Sequence, residues 1–286
     1  SPLIPIPDNT LVPIAGDGTA FGDVLVCGGA PVVSTFTIAN SGNAPLNLTG
    51  NPFKVVVGGA NPGDFVVTQP ASSVVAASGG TTTFTVTFAP SAVGPRTATL
   101  SIANDDCDEA LFDFAIRANG VSPEIEVIGG SGNIADGSNT PNTNNQTSFG
   151  DVVLCGTTSL TQTFTIKNTG AAPLNLTGAP LKVVVSGANA GAFTVTQPTS
   201  SVVAPLTGTT TFAVTFTPSA VGSHAATLTL VNDDCDESTF DFALNGNGVS
   251  PEIDVSGGSG TPTSIADGSS NPITTNGTHF GVVAFN

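Results

Sequence analysis

The chain repeats itself, and the repeat constrains everything else. Cys27 and Cys155 lie 128 residues apart, as do Cys107 and Cys235, Phe65 and Phe193, and Pro90 and Pro218. From Phe21 to Pro123 the second copy follows the first without a gap: NAPLNLTG against AAPLNLTG, FVVTQP against FTVTQP, FAPSAVG against FTPSAVG, NDDCDE against NDDCDE. A third copy opens at Ser250-Pro251-Glu252, the counterpart of Ser122-Pro123-Glu124. A unit of this length buries a core of its own, so the chain is an array of like modules rather than a solenoid of interdependent turns. The expected division is 1–120 for the first module, 121–248 for the second and 249–286 for the opening of a third.

Within a module the period is two. Thr81 to Phe88 reads TTTFTVTF, with Phe84, Val86 and Phe88 on one face, and Ala98, Leu100 and Ile102 alternate in the same way. That is a half-buried strand, apolar inward and Thr or Ser outward. Gly and Pro punctuate at Ser41-Gly42-Asn43, Gly79-Gly80 and Val93-Gly94-Pro95, and no segment carries a helical period. The prediction is all-β: tandem immunoglobulin-like Greek-key β-sandwiches in a rod-like array. Fifteen of the 17 Phe recur at matched positions (21/149/280, 36/164, 65/193, 84/212, 88/216, 112/240, 114/242). Such recurrence marks a core rather than an aromatic binding platform. A polar loop at 131–148 opens the second module and reads as shortened to AGDGTA in the first, with Ile134 as its anchor.

Charge narrows the function. Five Lys and Arg stand against 21 Asp and Glu, a net charge of −16, which repels nucleic acid and anionic membrane faces. No apolar run reaches the roughly 18 residues that span a bilayer. The two histidines, His224 and His279, do not recur and read as surface residues, so no catalytic triad forms within each module and no enzyme is expected. Lys54 and Lys182 are matched, but an isopeptide bond is not expected where cysteines cross-link. Asn47-Leu48-Thr49 and Asn175-Leu176-Thr177 fit the N-glycosylation pattern within strand-like runs.

The cysteines come one pair per module, 80 residues apart. An even count in identical places predicts the intramodule disulfides Cys27–Cys107 and Cys155–Cys235, with a buried pair of free thiols as the alternative. Closing such a loop contributes about 4 kcal/mol in the chain-entropy account and implies an oxidising compartment. Around the second cysteine of each pair stand Asp105, Asp106, Asp108 and Glu109, and Asp233, Asp234, Asp236 and Glu237. Four carboxylates so close repel one another; a hard cation such as calcium relieves this, and a solvated turn is the plainer reading.

SPEIEV, IADG, FGDV, TFTIKNTG, APLNLTG, TTTFAVTFTPSAVG and NDDCDE…FDFALNGNG together resemble the choice-of-anchor D repeat, of the wider ASPM–SPD-2–Hydin-like group of immunoglobulin-type sandwiches. The resemblance implies large secreted or surface-attached bacterial proteins with tandem sandwiches and a variable C-terminal anchor, and it implies no activity. The expected role is a structural segment of a bacterial surface fibre, stalk or large adhesin. The alternative is an extracellular module that binds a protein or glycan, although no Trp or Tyr offers a stacking face for sugar. Expected partners are further repeats or other copies of the chain. Residues 251–286 read either as the start of another module or as a strand, with Phe280, Val282, Val283 and Phe285, that docks on a neighbouring subunit by β-augmentation. The former is favoured, because the first module carries its own strand from Phe21 to Cys27 and leaves no evident vacancy.

Overall fold

A computed structural model describes residues 4–156 and 158–281. In the first module the strands are β1 (Ala20–Leu25), β2 (Val32–Asn40), β3 (Leu46–Asn47), β4 (Val55–Gly58), β5 (Phe65–Thr68), β6 (Val74–Val75), β7 (Gly80–Phe88), β8 (Gly94–Ala103) and β9 (Leu111–Val121). The second module has β10 (Ile125–Gly129), β11 (Gly132–Ile134), β12 (Ser148–Val153), β13 (Leu160–Asn168), β14 (Leu174–Asn175), β15 (Val183–Ser186), β16 (Phe193–Thr196), β17 (Val202–Val203), β18 (Thr209–Phe216), β19 (Gly222–Val231) and β20 (Thr239–Val249). Beyond it, β21 (Val255–Gly257) and β22 (Thr263–Ile265) form a separate hairpin.

Each module is a sandwich. One sheet has the order β1-β9-β8-β4 in the first module and β12-β20-β19-β15 in the second. The facing sheet is β2-β7-β5 in the first and β11-β10-β13-β18-β16 in the second. The cores are separate clusters: Phe36, Phe84, Phe88, Leu100 and Ile116 belong to one, and Phe164, Phe212, Phe216, Leu228 and Leu244 to the other. The recurring phenylalanines stack on cross-strand neighbours within a sheet, as in Phe36–Phe84 and Phe164–Phe212, both with centroids 5.2 Å apart, and meet across the sheets, as in Phe36–Phe114 and Phe164–Phe242, with centroids 5.5 Å and 5.8 Å apart.

The FGDV motif opens each sandwich with a bulge. β1 pairs with β9 in parallel, and the register slips between Ala20 and Asp23; β12 and β20 do the same between Ser148 and Asp151. Gly22 and Gly150 sit at the slip with φ of 79° and 63°, a left-handed conformation that suits glycine. The extra residue resets the alternation, so Phe21 and Val24, three residues apart, both face the core.

Polar side chains stitch the loops. Asn168 donates from Nδ2 to the carbonyls of Ala172 (2.7 Å) and Val203 (3.1 Å), and Asn40 repeats this with Ala44 and Val75. The Gln of each TQP loop imitates a strand: Gln69 Oε1 accepts from the amides of Lys54 and Val55, and Gln197 Oε1 from those of Lys182 and Val183. The opening loop of the first module is not shortened. Asp8 Oδ1 accepts from Asp113 N as Asp136 Oδ1 accepts from Asp241 N, both at 2.8 Å. Thr19 and Thr147 each donate to the side chain two residues before. The repeat therefore runs without a gap back to Ile6, which packs on the first core as Ile134 packs on the second.

His224 is buried rather than on the surface: its ring stands edge-on to Phe216 with centroids 5.6 Å apart. Arg96 holds the same place in the first module and pairs with the buried Asp64, whose counterpart is Ala192. The second module replaces an ion pair by an aromatic contact.

The modules differ along one edge. In the second, β10 lies against β13 and its Ile125 and Val127 enter the core. In the first, β2 has no neighbour on that side among the described residues. The effect on burial is local. Ile166, Leu174, Phe240 and Ala172 are buried, whereas Ile38, Leu46 and Phe112 are only half-buried and Ala44 is exposed.

Candidate functional site

The junction between modules gathers the residues that the sequence singled out. β1 runs parallel to β9, so both finish at the same end of the sandwich, with Leu25 opposite Val121 and Val26 N donating to the Val121 carbonyl at 2.9 Å. Cys27 therefore sits where the chain leaves the first module. Four residues after Val121 the chain enters the second at Ile125, whose amide donates to Asp234 Oδ2 at 2.6 Å. That contact carries the acidic turn of the second module to the exit of the first.

The result is a disulfide between Cys27 and Cys235, across the modules, with Cα atoms 5.7 Å apart, inside the usual span for such a bond. Cys107 and Cys155 are free and exposed. The expected pairs, Cys27–Cys107 and Cys155–Cys235, are both wrong, and strand direction is the reason. Cys107 lies in the turn before β9 begins, and Cys27 lies beside its end. Eleven residues of β9 at about 3.3 Å each separate them by roughly 35 Å. Identical spacing in each copy is equally compatible with a link between copies, and only the parallel pairing decides.

Beside the disulfide is a carboxylate cluster. One oxygen each from Glu124, Asp234 and Asp236 lie within 4.8 Å of one another. Asp234 is 2% exposed, and its Oδ1 has no hydrogen-bond partner among the described residues. Burial raises the Asp234 carboxyl above its ordinary range, with the Asp236 carboxylate adding to the rise against the Ile125 amide. Burial also raises Glu124, followed by the charges of Asp234 and Asp236, and it raises Glu237, followed by Asp136 and Asp234.

The expected ligands divide. Asp234 and Asp236 enter the cluster, and Glu237 borders it. Asp105 and Asp233 do not: each clamps an asparagine, with Asp105 accepting from Asn47 N and Nδ2, and Asp233 from Asn175 N and Nδ2. Those bonds hold Asp105 below the ordinary carboxylate range, and they engage the amides of both glycosylation-type asparagines. Asp106, Asp108 and Glu109 are exposed, and among the described residues they form no cluster of three converging carboxylates. Glu124 is the residue that sequence reasoning missed. It lies far from the acidic run, and the one available signal was its recurrence in SPE at Glu252. Of the expected docking strand, Phe280 is 91% exposed, and Val282, Val283 and Phe285 lie outside the described residues.

Comparison with known proteins addresses the fold. Residues 143–247 match the family model of the HYDIN/CFA65/VesB-like, Ig-like domain. The second module is an immunoglobulin-like domain. The first immunoglobulin-like module follows it strand for strand, save for the uncovered β2 edge. No curated protein matches the chain. Among solved structures it is similar to a protein of unknown function from Porphyromonas gingivalis, at 14% identity over 80% of this chain and 95% of that one, TM-score 0.32. It is also similar to the ASH / PapD-like domain of human CEP192, at 18% identity over 46% and 89%, TM-score 0.27. A third likeness is to domains 4 and 5 of the S-layer protein SbsC, at 18% identity over 68% and 70%, TM-score 0.28. No helix of the described residues is long and apolar enough to cross a membrane.

Proposed function

We propose that this chain is a non-catalytic structural segment of a secreted or surface-attached protein, in which immunoglobulin-like modules are fastened in series by disulfides across their junctions. The observation that carries this reading is Cys27–Cys235. A disulfide of this kind persists where the surroundings are oxidising, and one placed between modules fixes how successive modules follow one another. The finer resemblance, to choice-of-anchor D repeats of bacterial surface fibres, stalks and adhesins, agrees with such a role. The carboxylates of Glu124, Asp234 and Asp236 then take a hard divalent cation of calcium's class, and the buried Asp234 Oδ1 gains the partner it lacks.

The test is thiol alkylation of the protein as it leaves the cell, followed by peptide mapping without reduction. The expected result is one link, between the peptides that hold Cys27 and Cys235. Four alkylated thiols would place the chain in a reducing compartment and overturn the reading.

A further inference from the structure

The disulfide and the carboxylate cluster share one turn. We infer that Glu124, Asp234 and Asp236 form a control site for the Cys27–Cys235 bond: a divalent cation of calcium's class held by these carboxylates secures the disulfide against reduction, and reduction in turn weakens the hold on the cation. This deepens the reading above, on which it rests, by naming what regulates the cross-link.

Chain adjacency is the first ground. Cys235 stands between Asp234 and Asp236, so the sulfur and two of the three carboxylates ride on one turn. That turn is tied at its base. Asn232 N donates to the Ser238 carbonyl at 3.0 Å, Asn232 Nδ2 donates to the Glu237 carbonyl at 2.9 Å, and Asn232 Oδ1 accepts from Asp234 N at 2.7 Å. A shift of the turn therefore moves Sγ and the carboxylates together.

The third carboxylate is on the linker. Val121, Ser122, Pro123 and Glu124 are consecutive. The Val121 carbonyl accepts from Val26 N, one residue before Cys27, whereas the Ser122 carbonyl accepts from Ala172 N and the Glu124 carbonyl from Thr169 N, both in the second module. A cation that joins Glu124 to Asp234 and Asp236 fixes the acidic turn against the short segment that emerges beside Cys27. The disulfide fixes the same turn to Cys27 itself. Each tie confines the partners of the other and so raises their effective concentration.

Charge acts in the same direction. The three carboxylates converge, and no Lys, Arg or His pairs with any of them among the described residues. Their mutual repulsion pushes turn and linker apart, and a cation removes it. The buried Asp234 brings an oxygen without a partner, Oδ1, while Glu124 and Asp236 are exposed. A hard cation thus meets protein oxygens on one side and water on the other, which together supply the roughly six to eight ligands that calcium takes. The coupling is reciprocal: the factor by which the cation favours the disulfide is the factor by which the disulfide favours the cation.

The test uses the full chain with Cys107→Ser and Cys155→Ser, so that Cys27–Cys235 is its one redox couple. It is equilibrated at pH 7 in dithiothreitol buffers of graded poise, with calcium chloride or with a chelator. In the step that is read, dithiothreitol passes two electrons and two protons to the S–S bond, which becomes two thiols, and closes to its own cyclic disulfide. Acid quenching, alkylation and mass spectrometry give the oxidised fraction. Calcium is expected to favour the disulfide about tenfold, a fall of about 30 mV in its reduction potential. Calorimetric titration is expected to show calcium bound about tenfold more weakly once Cys27→Ser and Cys235→Ser remove the bond. Glu124→Gln with Asp236→Asn, both at exposed sites, is expected to keep the circular dichroism of the fold, form the disulfide and lose its dependence on calcium. A potential indifferent to calcium, a calcium affinity equal with and without the bond, or a shift that survives in the carboxylate variant would overturn the inference and leave the structural reading standing. A chain in which Cys27 and Cys235 never join overturns both.

Discussion

At the scale of single residues, the junction carboxylates make a prediction with a definite sign. Asp234, Glu124 and Glu237 titrate above their ordinary values in the fold, chiefly through burial. Without a cation the folded state binds more protons than the unfolded one. Their contribution to stability is complete below the unfolded carboxylate range, near pH 4, and is lost as pH rises through their raised folded values. Asp105 and Glu126 act oppositely: Asn47 holds the first below its range, and Lys167, 2.7 Å away, holds the second. Their contributions are present above the unfolded range and are lost as pH falls through the depressed folded values. A bound calcium ion would reverse the first group, since it binds the ionised forms. The melting temperature is expected to rise with calcium more at pH 7 than at pH 5, and Asp234→Asn is expected to abolish most of that rise while stabilising the chelator-treated protein. An equal response at both pH values, or none, would remove the cation from the account. Asp234 and Asp236 were visible in the acidic run. Glu124 was not, because only the crossing from β9 to β10 brings it there, and no local pattern encodes a contact between residues so far apart.

At the scale of elements, β10 separates two otherwise equal sandwiches. Ile166 is buried beneath it and Ile38 is half-open without it, so the same substitution has unequal cost. Ile166→Ala is expected to lose about 2–5 kcal/mol of unfolding free energy through lost burial and the cavity left behind. Ile38→Ala is expected to lose about 1–2 kcal/mol, in proportion to its partial burial. Urea midpoints of the two variants measure the difference, and equal costs would mean that the β2 edge is covered in solution. Gly170→Ala is expected to cost about 1–3 kcal/mol, because a Cβ there meets the backbone at Ser122 and Glu124. Strand positions in both modules were legible from the alternation of Phe, Val and Ile with Thr, and the bulge residue Gly22 stood in FGDV. The direction of β1 was not. Alternation is the same for parallel and antiparallel neighbours, and the cysteine pairing depended on that one property.

At the scale of the whole molecule, the two cores share no residue, so each sandwich is expected to fold without the cross-link. Cys27→Ser with Cys235→Ser is expected to leave both folded and to remove up to about 5 kcal/mol, the chain-entropy value for a loop of this size. Loss of native circular dichroism in that variant would show that the modules depend on each other. The bond spans a separation of 208 residues, and that enclosed length has a consequence for a chain pulled from its ends. Everything between the two sulfurs is short-circuited. Only residues 1–27 and 235–286 can pay out, which at about 3.5 Å per residue is roughly 280 Å of slack against about 1,000 Å for the open chain. A single-molecule stretch of the oxidised protein would therefore end early, and a reductant would release the remainder: the cross-link withholds nearly three quarters of the tether's reach while it stays oxidised.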